Sequence, residues 1–386
     1  MRTGFVRGLC AALVVVSTGC QVYDSSLLDS GVDGGRVDAG PCNSRVPPAR
    51  PSTPDAADTE EVIFGLRMVV LDQTDGDAWQ RMGLDLDGLC TGPPAYETEC
   101  LPPRRSQPPG DGDDGIDNTF GSDLFPLVDL AVMGLQSTAR AAQEEGKLPA
   151  VRIRQWNGMD DDPQVDVTVT NAIYMVRDAG DGTPAAHRLE AFEPVDPMSG
   201  MRLPFPLWDG TDFAYFRVDT FFEGDLDRPL IRDDNAYVVD RWIVASLPAR
   251  VEILFPADEV GVLVRLTDAT AIGRISEDGL TLEDAVVSGR WAVLDLLSTA
   301  ENIGVCRGTG QYDILTGQLD TIADIRAQPG TGGPTARCDA ISLGVGFTGT
   351  RMHIGGLTMG PPVANICVGV DGGASSLDAG VGMDGG

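Results

Sequence analysis

After Gly146 the chain is divided into short runs in which apolar and polar residues alternate. The pattern is clearest over Val151–Trp156 and Val165–Tyr174, and Gly, Pro, Asn or Asp separates each run from the next. A period of two residues places successive side chains on opposite faces of a strand, so that one face can be buried. Many short strands of this kind predict a mainly β fold, with an antiparallel β-sandwich or jelly-roll-like body. The further predicted strands are Glu61–Leu71, Phe213–Phe222, Ala236–Ser246, Val251–Phe255, Val260–Leu266, Ala340–Phe347 and Met352–Leu357.

One clear amphipathic helix is predicted at about residues 123–145. Its apolar side chains recur at intervals of three and four residues, which is typical of a helix that packs one face against a core. Ser122 or Asp123 can cap its first turn, and Gly146 is suited to end it. A second, short helix is predicted at Trp291–Ala300.

Composition divides the chain into a folded body and two tails. Both ends are rich in Gly and Asp, with Pro at the N-terminal end, and they contain too few apolar residues to offset the entropy of ordering. We therefore expect a disordered tether at 20–58 and a disordered tail at 370–386. Between them we expect a loop-rich and helical part, 59–147, and a β-sandwich-like part, 148–369. The sequence leaves open whether these parts are one domain or two.

The first twenty residues predict export. Residues 1–19 have the pattern of a signal peptide. A short basic start is followed by an apolar run too short to span a bilayer, and the small residues Ser17–Gly19 precede a cleavage site. The sequence from Ser17 to Cys20 resembles the bacterial lipobox, although that motif has a large aliphatic residue where this chain has Ser17. The resemblance implies that Cys20 is lipidated and becomes the first residue of the mature protein.

The chain is strongly acidic, with 58 Asp and Glu residues against 28 Lys and Arg residues and a formal net charge of −30. A field of this sign repels polyanions, so nucleic acid is excluded as a partner. The same field attracts divalent cations. The alternative is that the charge only keeps an exported protein soluble.

Six cysteines follow Cys20, and an even number in an exported protein predicts three disulfides. Sequence alone does not fix how they pair. We expect two bridges that close local loops and one that joins the ends of the folded body. A zinc site is the alternative, but the chain has no Cys-x-x-Cys and only two histidines. The predicted pairs are Cys90–Cys100, Cys306–Cys338 and Cys42–Cys367.

Three acidic loops are candidates for cation binding, because Ca²⁺ takes about six to eight oxygen ligands from carboxylates, amides and carbonyls on a tightly turning chain. The first loop, 111–118, lies within a turn-rich stretch, 72–121, that needs a disulfide or a bound metal to be ordered. It resembles the aspartate-rich calcium loops of thrombospondin type 3 repeats. The other loops are 157–166 and 223–227, the latter joined by 233–235. The ligands predicted in the first loop are Asp111, Asp113, Asp117 and Asn118.

The alternative for all three loops is a cluster of solvated turns, because Asp, Asn and Gly are the ordinary turn residues.

Gly344–Gly349 matches the pattern Gly-x-Gly-x-x-Gly, but a strand follows where a nucleotide-binding motif requires a helix. Those glycines therefore predict close packing or a bulge.

No catalytic residue is predicted. The sequence contains neither Gly-x-Ser-x-Gly nor His-Glu-x-x-His, and a Ser-His-Asp triad would have to use His187 or His353. A pair of carboxylates of the kind that glycoside hydrolases use stays open, because 58 acidic residues allow many pairs.

Four stretches together carry a family resemblance. They are Asp114–Gly121 before the helix, Asn157-Gly158 with the acids that follow, Ser288–Trp291 and Cys338–Phe347. They resemble uncharacterised exported lipoproteins that are abundant in myxobacteria, and the likeness spans most of residues 65–357. It implies a lipid-anchored envelope protein, and it implies no particular chemistry.

We therefore expect a non-catalytic lipoprotein, stabilised by calcium, that binds a glycan or a protein at the cell surface. Its membrane partner would be the outer membrane, because Gln21 after the lipidated cysteine resembles the outer-membrane sorting pattern of other bacteria. Two alternatives stay open: a secreted carbohydrate-active enzyme that uses an Asp/Glu pair, and a purely structural envelope component.

Overall fold

Eight strands with alternating side chains pair edge to edge until the last one meets the first. Every neighbouring pair is antiparallel, and the pairing of β3 with β7 closes the sheet into a barrel. In order around the barrel the strands are β3 (Asp162–Val176), β2 (Leu148–Trp156), β1 (Glu60–Val70), β12 (Ala340–Arg351), β11 (Thr281–Ala292), β10 (Val262–Ile275), β8 (Trp242–Ser246) and β7 (Arg232–Val239). The computed structural model describes residues 43–52, 57, 60–92, 97–131, 134–247, 250–255, 262–362 and 366–367.

The predicted mainly β, antiparallel character is confirmed, but the arrangement is a barrel and not the predicted sandwich or jelly roll. A sandwich needs two sheets that face each other, each with its own edges. Here β7 pairs with β8 on one side and with β3 on the other, so the sheet meets itself. Alternation along each strand is the same in both architectures, which is why the sequence pattern does not separate them.

Further strands and four helices attach to the barrel. Strand β6 pairs with the C-terminal half of β3, β13 runs parallel to β6, β9 pairs with β10, and β4 and β5 form a small hairpin. No helix among the described residues is both long enough and apolar enough to cross a membrane. The bounds are β4 (Arg188–Glu190), β5 (Glu193–Val195), β6 (Phe213–Arg217), β9 (Val251–Phe255), β13 (His353–Thr358), α1 (Phe125–Ala131), α2 (Leu135–Glu144), α3 (Val293–Asn302) and α4 (Gly310–Ile322).

Apolar side chains at every second position fill the interior of the barrel. On β1 these are Val62, Phe64 and Leu66, and the same alternation holds on the other strands of the ring. A cavity of about 20 Å³ remains between the interior side chains, and its lining is apolar. This volume is close to the space that one water molecule occupies. The barrel interior is therefore a packed core and not a chamber for a ligand.

The predicted helix at 123–145 is broken into three pieces. The chain enters through a π-helical turn at Phe120–Leu124, continues as α1 and resumes as α2 after Gly134, which has φ +84°. This left-handed conformation interrupts the helical hydrogen bonds, and glycine adopts it without a steric penalty. The predicted end at Gly146 is confirmed, since Gly146 also has φ +84° after the last turn.

Two further predictions differ from the structure near the middle of the chain. The run Ala236–Ser246 is a hairpin of β7 and β8, because Asp240 and Arg241 both have positive φ and reverse the chain. The predicted helix Trp291–Ala300 corresponds to α3, which starts two residues later. The long strand β11 and the helix α4 were not predicted.

The division at residue 148 does not separate two domains. Strand β1 comes from the predicted N-terminal part, yet it lies between β2 and β12 in the barrel wall. All described residues belong to one compact unit, which runs from Gly34 to Gly386. The predicted tether at 20–58 is also too long, because residues 43–52 bind the barrel through specific hydrogen bonds. The predicted signal peptide, Cys20 and the tail at 370–386 lie outside the described residues.

The disulfides join distant parts of the chain. Cys100 is bonded to Cys338 with their Cα atoms 5.2 Å apart, because the stretch around Cys100 folds back beside the start of β12. Cys306 is bonded to Cys367 with a Cα separation of 5.3 Å. Cys90 is also in a disulfide, and Cys42 lies outside the described residues. The predicted pairs Cys90–Cys100, Cys306–Cys338 and Cys42–Cys367 are therefore wrong.

The glycines of β12 permit close packing, as predicted. A Cβ atom on Gly344 would overlap the carbonyl oxygen of Met82, and one on Gly346 would lie 2.9 Å from the Met82 Cε atom. On the other face of the strand, a Cβ atom on Gly349 would lie 2.6 Å from the Cβ atom of Leu282. On the outer face of β12, the Met82 backbone lies too close for a side chain at Gly344. On the inner face, Leu282 lies too close for a side chain at Gly349.

Replacing Gly344 with alanine is expected to lower the free energy of unfolding by about 2 kcal/mol or more, because the new methyl group meets backbone that cannot move cheaply. Gly310→Ala is the matched control, since no atom lies within 4 Å of a Cβ added there. Urea unfolding of both variants measures the difference. An equal loss in the two variants would contradict the packing described for β12.

Candidate metal centre in the loop layer

A layer of irregular chain covers the outer face of β11 and β12. We call it the loop layer and define it as residues 71–92 and 97–119. Where β1 leaves its partner β12, two side chains of this layer take over the hydrogen bonds: Gln73 Nε2 donates to the carbonyl oxygen of Gly344 (2.7 Å), and Asn118 Oδ1 accepts from its N–H group (3.0 Å). The loop layer is therefore attached to the barrel wall by an extension of the sheet's own bonding.

Arg290 of β11 fixes the other side of the loop layer. Its guanidinium is 2% exposed and forms an ion pair with Glu99 at 2.7 Å. It also donates to the carbonyl oxygens of Leu86 (2.5 Å) and Arg326 (2.9 Å). A buried cation is tolerated only when its donors are used in this way. One side chain thus fastens three separate segments to the barrel wall.

Three carboxylates of the loop layer converge beside this cation. The ligand-type oxygen atoms of Asp85, Asp87 and Asp117 all lie within 4.8 Å of one another. Asp117 is 2% exposed and Asp85 is 8% exposed. We call this group the acidic centre. Two tight turns produce it, because Gly88 and Gly115 adopt positive φ and bend the two chain segments toward each other.

Backbone N–H groups orient these carboxylates. Asp85 Oδ1 accepts from the N–H of Gly88 (2.7 Å), and Asp117 Oδ2 accepts from the N–H of Leu86 (2.7 Å). Asp87 Oδ1 accepts from Leu89 at 2.8 Å. The second oxygen of Asp85 accepts from the hydroxyl of Ser44. The backbone bonds leave the second oxygens of Asp87 and Asp117 for another partner.

Burial and mutual repulsion raise the pKa values of the acids in this region. Burial raises the pKa of Asp111 to about 8, and the charges of Asp87, Asp324 and Asp85 act in the same direction. Burial, with Asp85 and Glu99 nearby, raises the pKa of Asp87 to about 6, while Arg290 opposes the rise. The pKa of Asp117 is also raised well above its usual range, mainly by burial. Burial therefore favours the protonated forms of these carboxylates, and a bound cation would act in the opposite direction.

Of the four ligands predicted from sequence, only Asp117 belongs to the acidic centre. Asp111 is outside that group but interacts with it electrostatically, and its carboxylate accepts a hydrogen bond from the N–H of Thr91. Asp113 is exposed. Asn118 is buried, and its amide bonds Gln73, Met82 and the backbone of Gly344, so its role is structural. Sequence reasoning missed Asp85 and Asp87.

The two other acidic loops serve as turns and as ion-pair partners. Asp162 accepts from the N–H of Asn157 (2.7 Å) in the turn between β2 and β3. Asp227 pairs with Arg154 at 2.9 Å. Within the described residues, neither loop contributes to a group of three converging metal-type ligands. Both loops are turns, but only the loop 223–227 is solvated, since Asp162 and Asp166 of the first are buried.

The two histidines contact aromatic rings. His187 Nε2 is 2.9 Å from the hydroxyl of Tyr174, and the His187 Nδ1 atom is 3.1 Å from the carbonyl oxygen of Ala185. The His353 ring contacts that of Phe213 at 5.2 Å. In the described part of the chain, no serine hydroxyl is hydrogen-bonded to either histidine.

Comparisons with protein-family models, with curated proteins and with solved structures give no match to this chain.

Replacing Arg290 with methionine is expected to lower the free energy of unfolding by about 3–5 kcal/mol, because it leaves the buried Glu99 carboxylate without its cation. Adding Glu99→Gln should recover part of the loss. The matched control is Arg250→Met, since the Arg250 side chain is 55% exposed and its pair with Asp295 should contribute at most about 1 kcal/mol. Urea unfolding provides the comparison, and similar losses in both single variants would contradict the anchoring role.

The raised pKa values predict a pH dependence in a chelating buffer. Asp111 keeps its proton in the folded protein up to about pH 8, whereas the unfolded chain loses it near pH 4, so the free energy of unfolding should fall as the pH rises from about 4 to 8. Asp111→Asn should make this slope shallower, whereas Asp113→Asn, in the same loop but exposed, should leave it unchanged. Urea unfolding at several pH values tests both. Identical slopes for the two variants would contradict the placement of Asp111 beside buried acids.

Proposed function

We propose that this chain is a non-catalytic lipoprotein of the cell envelope, that its acidic centre binds a calcium ion, and that it binds a glycan or a protein with its outer surface. The observation that carries the proposal is the convergence of Asp85, Asp87 and Asp117 within 4.8 Å. The filled barrel supports binding at the outer surface, and the loop layer supplies the carboxylates of the calcium site. The signal-like sequence supports attachment to the envelope.

The donor set of the acidic centre suits a hard divalent cation. Ca²⁺ prefers carboxylate and carbonyl oxygens and accepts irregular geometry. The three carboxylates supply only oxygen, and neither a thiol nor an imidazole belongs to the group. A bound Ca²⁺ would offset the burial and mutual repulsion of the three carboxylates, and it would join the segment 84–89 to the segment 111–118.

Attachment to the envelope is supported by the signal-like sequence and by the disulfides. The lipobox-like segment ends at Cys20, which would carry the lipid and hold the protein in the outer membrane. The bridges Cys100–Cys338 and Cys306–Cys367 suit an oxidising compartment. The bound segment 43–52 leaves residues 21–42 as the spacer between the lipid and the folded body.

Two observations support a binding role without catalysis: the packing of the barrel interior and the hydrogen bonds made by the acidic centre. The barrel interior is filled with apolar side chains, so a ligand would have to bind the outer surface. Backbone N–H groups within the loop layer donate to the carboxylates of the acidic centre. A glycoside hydrolase instead places its carboxyl pair in an open cleft on both sides of the scissile bond.

Calcium is expected to raise the thermal midpoint of unfolding, because it binds the folded centre and not the unfolded chain. At about 100 times the dissociation constant the stabilisation would be about 2.7 kcal/mol. Asp117→Asn should abolish the shift and also the binding heat in calorimetry. The apparent affinity of the unmodified protein should rise between about pH 6 and pH 8, as Asp87 and Asp111 lose their protons.

Asp113→Asn is the matched control for this experiment, since it removes an equal charge from an exposed position of the same loop. It should keep the full calcium shift. No shift in the unmodified protein, or an equal loss of the shift in both variants, would contradict a calcium site at the acidic centre.

A further inference from the structure

The segment Asn43–Ser52, which precedes β1, is attached to the barrel at two separated places. Its first half binds the loop layer. Ser44 Oγ donates to Asp85 Oδ2. The N–H of Arg45 donates to the carbonyl oxygen of Asp114 (2.9 Å), and the carbonyl oxygen of Arg45 accepts from the N–H of Asp85 (2.9 Å).

The second half of the segment binds the two strands that close the barrel. The guanidinium of Arg50 donates to the carbonyl oxygen of Pro163 on β3 and to that of Asn235 on β7. The same guanidinium lies 4.6 Å from the centre of the Tyr237 ring. Tyr237 on β7 in turn donates from its hydroxyl to the carbonyl oxygen of Pro48 (2.5 Å).

These contacts fall where the closing pair is irregular. The register between β3 and β7 shifts between Asp162 and Val165, and it shifts again between Val165 and Val167. Pro163 lies in the first shift and has no N–H group to donate across the pair. Asn235 lies opposite the second shift, between the partners of Val165 and Val167. Register shifts of this kind leave backbone groups outside the regular ladder.

A guanidinium is well suited to such a place. Its N–H groups are held in a planar fork, so one side chain can bind two carbonyl oxygens of different strands at once. The contact also orders the segment 43–52, because the Tyr237 ring beneath Arg50 favours one position of the cation.

We propose that residues 43–52 form a strap that holds the closing β3–β7 pair together, and that release of the strap opens this pair while the rest of the barrel stays closed. The strap follows directly on the spacer that leads to Cys20. The strap therefore lies on a pairing of the barrel wall that contains two register shifts. Opening would expose two strand edges, the kind of surface to which a further strand can add.

Hydrogen exchange of the full chain, measured by peptide, tests this directly. Arg50→Gln removes the guanidinium that bridges β3 and β7, and it should accelerate exchange about tenfold or more in the peptide covering Arg232–Val239. Exchange in the peptide covering Thr281–Ala292, which belongs to β11, should not change. Arg105→Gln is the matched control, because Arg105 is exposed and the charge removed is the same.

Tyr237→Phe provides a second variant that leaves the Arg50 guanidinium in place and removes only the hydroxyl bond to Pro48. It should also accelerate exchange in β7, by a smaller factor. If the strap stays protected in Arg50→Gln, the double variant with Tyr237→Phe releases it. The proposal is overturned if exchange in the strap rises while that of β7 does not, or if all strands accelerate equally.

Discussion

The structure depends most on one buried charge. Arg290 projects from the outer face of β11 with 2% of its side chain exposed, and it binds Glu99 together with the carbonyl oxygens of Leu86 and Arg326. The loop layer has little regular structure of its own, so it needs such an anchor to lie in one place. Because Leu86 stands between Asp85 and Asp87, the anchor also fixes two of the three acids of the centre. A structural ion pair and a candidate metal centre thus share the same short segment.

Closure of the barrel has a different physical basis. Apolar side chains at every second position fill the interior, and this packing favours a ring of strands without fixing how tightly each pair is joined. The β3–β7 pair contains two register shifts, and the segment 43–52 binds across it. Because side chains fill the interior, a partner would have to bind the outer surface, where the loop layer and the strap both lie.

The sequence predicted strands where apolar and polar residues alternate, as over Val151–Trp156 in β2 and Val165–Tyr174 in β3. It missed β11, where the adjacent charges of Glu283 and Asp284 interrupt the alternation. Barrel closure and the disulfides were not predictable, since both depend on pairing between distant segments. Asp85 and Asp87 were missed for the same reason: Leu84-Asp-Leu-Asp-Gly88 looks like an ordinary turn until Asp117 is brought beside it. The break at Gly134 was hidden by an apolar periodicity that continues through it.

The central claim is that the acidic centre holds a cation, and a crystal structure of the protein grown with a lanthanide in place of calcium tests it most directly. The account predicts one strong anomalous peak between Asp85, Asp87 and Asp117, with metal–oxygen distances of about 2.3–2.6 Å. An ordered acidic centre without such a peak would contradict the claim.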